Sequence, residues 1–421
     1  HALELNGGAV AALSEAGDQL TCRYLVSAMG MISEPVIPKF KGMDRFKGPM
    51  FHSARWPAEG IDYGGKRMGI IGSGATTVQM LPVVAQTAAH VTVFQRTANF
   101  IMPAVQKPMT PEWEREIKAN YDAIVSKCRN HVFGMPFDSP VGRNLADTPP
   151  EEVEKILEEH WPRGSFRFCF ETFDDLLSNP ESNRIVGEFV VRKMLEKVKD
   201  PATREKLTPK GYPFFAKRPP LDHGYFETFN RDNVSLVDIG DAEPIVEFTE
   251  TGIRTTKQDY DFDIIVLATG FQAYTGAQEA LPIRGRNGLL LRDKWEDVSS
   301  SIMGVFVAEF PNLFMVTGPQ SPFANLPTSI EQNVMYIRDC IRKMEEEGHD
   351  LCLPRQDAED AWVAHTADIH RQTLMAQGDK VHSWMMGANL EKRKPRVRRS
   401  SSTTIRRSSS PSCGRATTSP R

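Results

Sequence analysis

The spacing of apolar positions divides the chain into stretches of different period. Met68 to Ile71 form a short, wholly apolar run of the kind that suits a parallel strand buried on both faces. Gly72-Ser73-Gly74 then turns into "ATTVQMLPVVAQTA", where Val78, Leu81, Val84 and Ala85 recur at helical spacing. A second apolar strand is predicted from Val91 to Phe94, and others at Val234–Val237 and Ile264–Leu267. From Pro108 to about Pro209 the period changes. "PEWEREIKANYDAIVSKC" and "SNRIVGEFVVRKMLEKVKD" read as amphipathic helices, the first opened by a proline where helices tolerate one. "LFMVTGPQSP" reads as a strand and turn, and "TSIE" at 328–331 as a capping box that starts a helix running to about Gly348. The opening "HALELNGGAVAAL" has the pattern of a β-hairpin. Strands alternating with helices predict an α/β fold with a helical insertion at 108–209, and no solenoid repeat is visible.

One stretch fits neither period. "FKGPMFHSARWP", residues 46–57, is broken by Gly48, Pro49 and Pro57 and is predicted to be a loop, yet it carries Phe46, Phe51, His52 and Trp56.

Composition narrows the class. At 421 residues and 40% hydrophobic content the chain has the size of two or three globular domains. It has no apolar run of bilayer length and no charged-then-apolar signal pattern, so no membrane partner is expected. The six cysteines are scattered without a CxxC pair or zinc spacing, which predicts no metal site, no disulfide framework and a reducing, cytoplasmic setting. No feature sets an oligomeric state. Residues 392–421 hold ten Lys or Arg and no acid, and without them the net charge moves from −3 to −13. Two readings of this disordered basic tail stand: a nucleic-acid or anionic-surface arm, or an unstructured, misread terminus. The second is taken as the expectation, with no nucleic-acid partner.

The strand, glycine turn and helix at 65–81 give the candidate chemistry. In such a unit Gly72 permits the tight turn, Gly74 lets backbone approach a pyrophosphate, and the first helical amides supply donors aided by the helix dipole. Ser73, Ala75, Thr76, Thr77 and Gln79 complete the candidate contacts. Thr77 stands where glycine or alanine is usual, and its branched Cβ predicts looser or rotated packing of helix on strand. The next strand ends at Gln95, Arg96 and Thr97, where an NAD site would place an acid on the ribose. An arginine there favours a 2′-phosphate, hence NADP over NAD, against the reading of Arg96 as an ordinary surface arginine.

With these residues in view, "FKGPMFHSARWP" resembles the FxGxxxHxxxW(P/D) signature of the flavin-dependent Baeyer–Villiger monooxygenases, carried by Phe46, Gly48, His52, Trp56 and Pro57. Related flavin-containing and N-hydroxylating monooxygenases usually have Tyr or Phe in place of Trp56. "YLVSAMG" and "DIIVLATGF" resemble the family's paired crossings between two dinucleotide domains, the second carrying Ala268, Thr269 and Gly270. "YPFFAKRPPLDHGYF" resembles the stretch with its active-site arginine, and "SWMMGAN" its carboxy-terminal motif. The resemblance implies two Rossmann-like domains, FAD and NADP(H) as cofactors, and a ketone and O2 as substrates, with an ester or lactone formed by way of a C4a-peroxyflavin. It implies that Arg218 is catalytic, that Lys217 meets the NADP 2′-phosphate, and that Trp384 is a cofactor- and substrate-side contact. His52 is expected to bond backbone across an interdomain joint and Trp56 to wedge against the NADP domain, with a purely packing role as the alternative.

The resemblance also implies an FAD domain that is incomplete here, since no GxGxxG unit precedes His1. The implied map has remaining FAD-domain strands and linker at 1–64, an NADP domain at 65–270 containing the insertion, the carboxy-terminal part of the FAD domain at 271–391, and the tail at 392–421. Two alternatives to the ketone-oxidising enzyme remain: a non-catalytic NADP-binding fragment, and a related N- or S-oxidising monooxygenase.

Overall fold

The computed structural model describes residues 3–6, 9–13, 18–321 and 325–387. Its centre is a five-stranded sheet in the order Val234–Asp238, His90–Gln95, Arg67–Ile71, Ile264–Leu267, Met50–His52, with every neighbouring pair parallel. The apolar runs form strands here because both faces of the sheet are covered. On one face Met68, Ile70, Val91 and Val93 meet the helix Ala75–Val84, whose buried positions are Thr77, Val78, Leu81 and Val84, and the helical lobe. On the other, Ile71, Phe94 and Ile265 meet Phe248, Ile253 and Phe262. Phe248 and Ile253 lie on an antiparallel three-stranded sheet built from Ile245–Phe248, Gly252–Thr255 and Asp259–Asp261.

A second unit joins the two ends of the described chain. Leu25–Ser27 pairs in parallel with Leu313–Met315, and Leu3–Asn6 forms the expected hairpin with Ala9–Leu13 while also pairing with Ile283–Arg284. The helices Leu326–Glu346 and Gln356–Arg371 belong to this part of the chain. The basic tail, residues 392–421, lies outside the described residues.

Several expectations need correction. The 46–57 stretch is not loop throughout: Met50–His52 is an edge strand, with Met50, Phe51 and His52 in register with Ile265, Val266 and Leu267. Three residues are too few to show a period, so pairing with a buried strand decided the matter. Through this strand, part of the 1–64 segment belongs to the same sheet as residues 67–71 and 264–267. The helical stretch after Pro111 is two helices, Pro111–Ala119 and Tyr121–Asn130. Asn120 breaks it, its side-chain amide turning back to the Glu116 carbonyl at 2.9 Å. The long helix begins at Leu326, with Asn325 before it, so Thr328 lies inside its first turn and bonds the Gly134 carbonyl at 3.1 Å instead of capping. Its end matches expectation: the last residue is Glu346, and Gly348 adopts φ +69°.

Candidate functional site

The glycine turn sits at the carboxyl end of the Arg67–Ile71 strand, where open parallel sheets take ligands. Gly72 has φ +117°, and a Cβ on it would lie 2.3 Å from the Ala268 carbonyl oxygen of the adjacent strand. Only glycine fits there. Gly74 is different: its backbone is extended, and a Cβ would meet nothing within 4 Å. It borders open space. Ser73 ties the turn to the next strand end, its hydroxyl donating to the Thr97 carbonyl at 3.2 Å. Ala75 and Gln79 are exposed on the first helical turns, with Thr76 half-buried beside them. No side chain caps this helix, so its first amides face the same space.

Thr77 does not loosen the packing as its branched side chain predicted. It is fully buried, and its hydroxyl donates to the Gly72 carbonyl at 2.8 Å, closing the turn from inside the helix. That bond satisfies the one polar atom the side chain buries.

Arg96 and Lys217 are 121 positions apart in sequence numbering but electrostatic neighbours in space. Burial, and then the positive charge of Arg96, push the Lys217 ammonium down to about 8, and no carboxylate offsets either effect. Two cations packed together without a counter-ion suit a phosphate. The 217–218 backbone is held against the end of the Arg96 strand, where the Asn99 side-chain amide donates to the Arg218 carbonyl at 3.3 Å and the Tyr212 hydroxyl donates to Ala98 at 2.6 Å.

Arg218 is exposed, and its side chain borders a small group of aromatic rings. Its guanidinium lies 5.8 Å from the Phe166 ring centre. Desolvation lowers its pKa, and the Tyr274 hydroxyl opposes that effect, which places Tyr274 close by. Tyr274 in turn stacks on Trp384, ring centres 6.3 Å apart and planes 22° from parallel. The structure therefore gathers Arg218 and Trp384, both singled out from sequence, with Phe166 and Tyr274, which were not. Tyr274 follows Gly270 closely and has φ +67°, so an aromatic just past the second crossing was the available signal. Phe166 lies on a short helix of the insertion and gave no signal.

The segment after the first crossing runs beside the second. Gln272 and Tyr274 amides donate to the Glu34 and Met31 carbonyls at 2.9 and 2.7 Å, and the Thr269 hydroxyl donates to Val36 at 2.6 Å. The Gly270 carbonyl is the point where three segments meet. It accepts the Val36 amide at 2.9 Å and the His52 ring nitrogen Nε2 at 3.0 Å. His52 Nδ1 accepts the Ala54 amide at 3.1 Å, so Nε2 must carry the hydrogen it gives to Gly270. Burial lowers the pKa of His52 and keeps it neutral. With both nitrogens committed to backbone, His52 has no proton to exchange.

The rest of the fingerprint packs. Trp56 meets Phe51 edge-on at 5.0 Å and lies on the helical side of the sheet core. Phe46 is buried on the opposite face, and a Cβ on Gly48 would collide with its ring at 2.6 Å and with the Asp263 carbonyl at 2.8 Å. Pro57 accepts the Gly60 amide at 2.9 Å in the turn that follows.

A second group of polar atoms lies at or after the carboxyl ends of the paired strands Leu25–Ser27 and Leu313–Met315. Ser27 Oγ, Gln320 Oε1 and Ser321 Oγ are buried there or in the following turn without a hydrogen-bond partner. Buried polar atoms left unsatisfied at strand ends fit a polar ligand that supplies their partners. Among the described residues no helix is long and apolar enough to cross a membrane.

Comparisons with known proteins agree with this geometry. Residues 23–131 match the family model described as flavin-binding monooxygenase-like. A Baeyer–Villiger monooxygenase of Pseudooceanicola batsensis is 42% identical over 388 residues, which cover 91% of this chain and 70% of the relative. The phenazine N-monooxygenase PhzNO1 of Lysobacter antibioticus is 40% identical over 90% of this chain and 69% of its own length. Among solved structures, OTEMO in complex with FAD and NADP superposes with a TM-score of 0.88 at 36% identity, covering 96% of this chain and 75% of that one. A fingerprint histidine bound to the crossing carbonyl, a glycine turn open above Gly74 and an identity above 40% over nine-tenths of the chain lead to one assignment: the protein belongs to the Baeyer–Villiger monooxygenase family.

Proposed function

We propose that this chain is an NADPH- and FAD-dependent monooxygenase that inserts one oxygen atom of O2 beside a ketone carbonyl to give an ester or lactone. The observation that carries the reading is Arg218, an exposed guanidinium on which no carboxylate among the described residues acts, flanked by Phe166 and Tyr274, the latter stacked on Trp384.

Both cofactors fit. The open space at Gly74, the uncapped helix start and the Arg96–Lys217 pair suit the diphosphate and 2′-phosphate of NADP, and the unsatisfied Ser27, Gln320 and Ser321 atoms suit FAD. Together they supply reducing equivalents and activate O2 when bound. Arg218 keeps its proton throughout, so its fork can stabilise the oxyanion that develops on the substrate carbonyl. Phe166 and Tyr274 border that charge on its protein side, and a bound substrate and cofactor would cover the side that faces solvent, which would strengthen its effect. His52 holds the Gly270 crossing and thereby the spacing between the two nucleotide sites.

A second reading, oxidation of an aromatic nitrogen, is supported by the near-equal identity to the phenazine N-monooxygenase. The deciding measurement is absorbance of the chain after FAD loading and desalting, then NADPH consumption in air with cyclohexanone or a phenazine. Retained flavin with ketone-dependent lactone formation supports the first reading, and N-oxide formation alone supports the second. A colourless protein that binds NADPH would make the chain a nicotinamide-binding fragment. Arg218→Ala should abolish product while leaving flavin and NADPH bound.

A further inference from the structure

Two of the cysteines are in contact. Cys340 lies on the Leu326–Glu346 helix, and Cys352 lies beyond the reversal at Gly348. Both pack against one small core of Val305, Phe306, Phe314, Val316 and Ile337. Asn312 fixes the position of Cys352: its side-chain oxygen accepts the Cys352 amide at 2.7 Å, and its backbone amide donates to the Cys352 carbonyl at 3.0 Å. The same Asn312 side chain also donates to the carbonyls of Arg23 and Asp350. The segment returning from the helix is thus held where the Cys352 thiol hydrogen-bonds the Cys340 sulfur.

We propose that Cys340 and Cys352 form a reversible dithiol–disulfide site oxidised by hydrogen peroxide. The thiolate of Cys340 is favoured first by the Cys352 hydrogen bond and further by Lys343, against the opposing effect of burial. Cys128 and Cys169 differ from this pair. Burial raises the Cys128 and Cys169 thiols, the latter well above its ordinary value and buried in the core. Neither Cys340 nor Cys352 is fully buried, so a small oxidant can reach the pair.

The chemistry balances in two steps. The Cys340 thiolate attacks one peroxide oxygen, the O–O bond breaks, and the departing hydroxide takes up a proton to leave water and a Cys340 sulfenic acid. The Cys352 sulfur then attacks that sulfur, the S–O bond breaks, and the hydroxide released leaves as a second water with the Cys352 proton. Two thiols lose two electrons and two protons, and one peroxide becomes two waters. A dithiol reductant reverses the change by exchange. The new bond closes the segment from Cys340 to Cys352 into a loop around Gly348 and ties the helix end to the segment that Asn312 holds. Such closure restricts the unfolded chain and raises the thermal midpoint.

The test uses the full chain, fully reduced, exposed to hydrogen peroxide, quenched with N-ethylmaleimide and digested with trypsin without reductant. Arg342 and Lys343 lie between the two cysteines, so cleavage separates them unless a disulfide joins them. Expected is a linked peptide pair about 2 Da lighter than the two reduced peptides together, restored to separate peptides by dithiothreitol, with a higher thermal midpoint before reduction. In Cys352→Ser the pair should vanish and Cys340 should accumulate as a dimedone-reactive sulfenic acid. The inference is overturned if both thiols remain alkylated at a peroxide dose that oxidises exposed Cys22, or if wild-type Cys340 goes directly to an irreducible sulfinic acid. The wild-type map decides the question even if a variant fails to fold.

Discussion

Replacing Lys217 by methionine should separate NADPH from NADH. The ammonium sits near neutrality, at about 8, because burial and the neighbouring Arg96 charge both disfavour it in the free protein. A 2′-phosphate bound between the two cations would relieve that repulsion and accept a charge-assisted hydrogen bond. Such a bond is worth about 1.5–3 kcal/mol, so K217M should raise the NADPH KM roughly 10- to 150-fold. NADH lacks the phosphate and should be affected little. The pH dependence has a definite sign. Below pH 8 the free protein already holds the Lys217 proton. Above it, binding the phosphate must take a proton up, so the NADPH KM should climb by up to about tenfold per unit. Steady-state kinetics with both nucleotides between pH 6.5 and 9.5 provide the assay. Equal weakening of NADH and NADPH in K217M, or a flat NADPH KM across pH 8 in the unmodified protein, would refute a phosphate between Arg96 and Lys217.

Two glycines two positions apart should respond in opposite ways. Gly72→Ala drives a Cβ into the Ala268 carbonyl at a positive φ and should lower the thermal midpoint or prevent folding, whereas Gly74→Ala should leave the midpoint unchanged and raise the NADPH KM, because its Cβ enters only the open space. His52→Ala removes the bonds to Gly270 and Ala54 and should cost about 2 kcal/mol in chemical denaturation; an unchanged midpoint would show that the joint does not depend on this residue. His370 is buried and its pKa is lowered to about 4, mainly by burial. The unfolded chain therefore binds a proton that the folded chain refuses between about pH 6.5 and 4, and stability should fall through that window by up to about 1.4 kcal/mol per unit. In His370→Phe that slope should diminish, as measured by urea midpoints at successive pH values.

Much of the candidate site was legible because its parts are local. A strand, a glycine turn and the next strand's end are contiguous, so Gly72, Gly74 and Arg96 could be placed by period and spacing alone. Thr77 could be located but not understood, since its hydrogen bond to Gly72 depends on the closed geometry of the turn. The helix boundaries failed where side chains competed with backbone, at Asn120, and where a proline inside the first turn allowed an earlier start than the capping pattern suggested.

The sequence by itself determined the parallel sheet, its glycine turn and the family likeness of the fingerprint, because apolar runs and glycine punctuation act over a few residues. Only the tertiary structure decided what the fingerprint does. Met50–His52 became a strand through pairing with Ile265–Leu267, and His52 Nε2 found its acceptor in a carbonyl 218 residues away. Tertiary folding also brought Tyr274 and Phe166 to Arg218 and placed Cys340 beside Cys352. Contacts of such separation leave no period in the chain. They arise when buried strands and polar groups find partners across the fold, and the local pattern of residues cannot specify which partners those are.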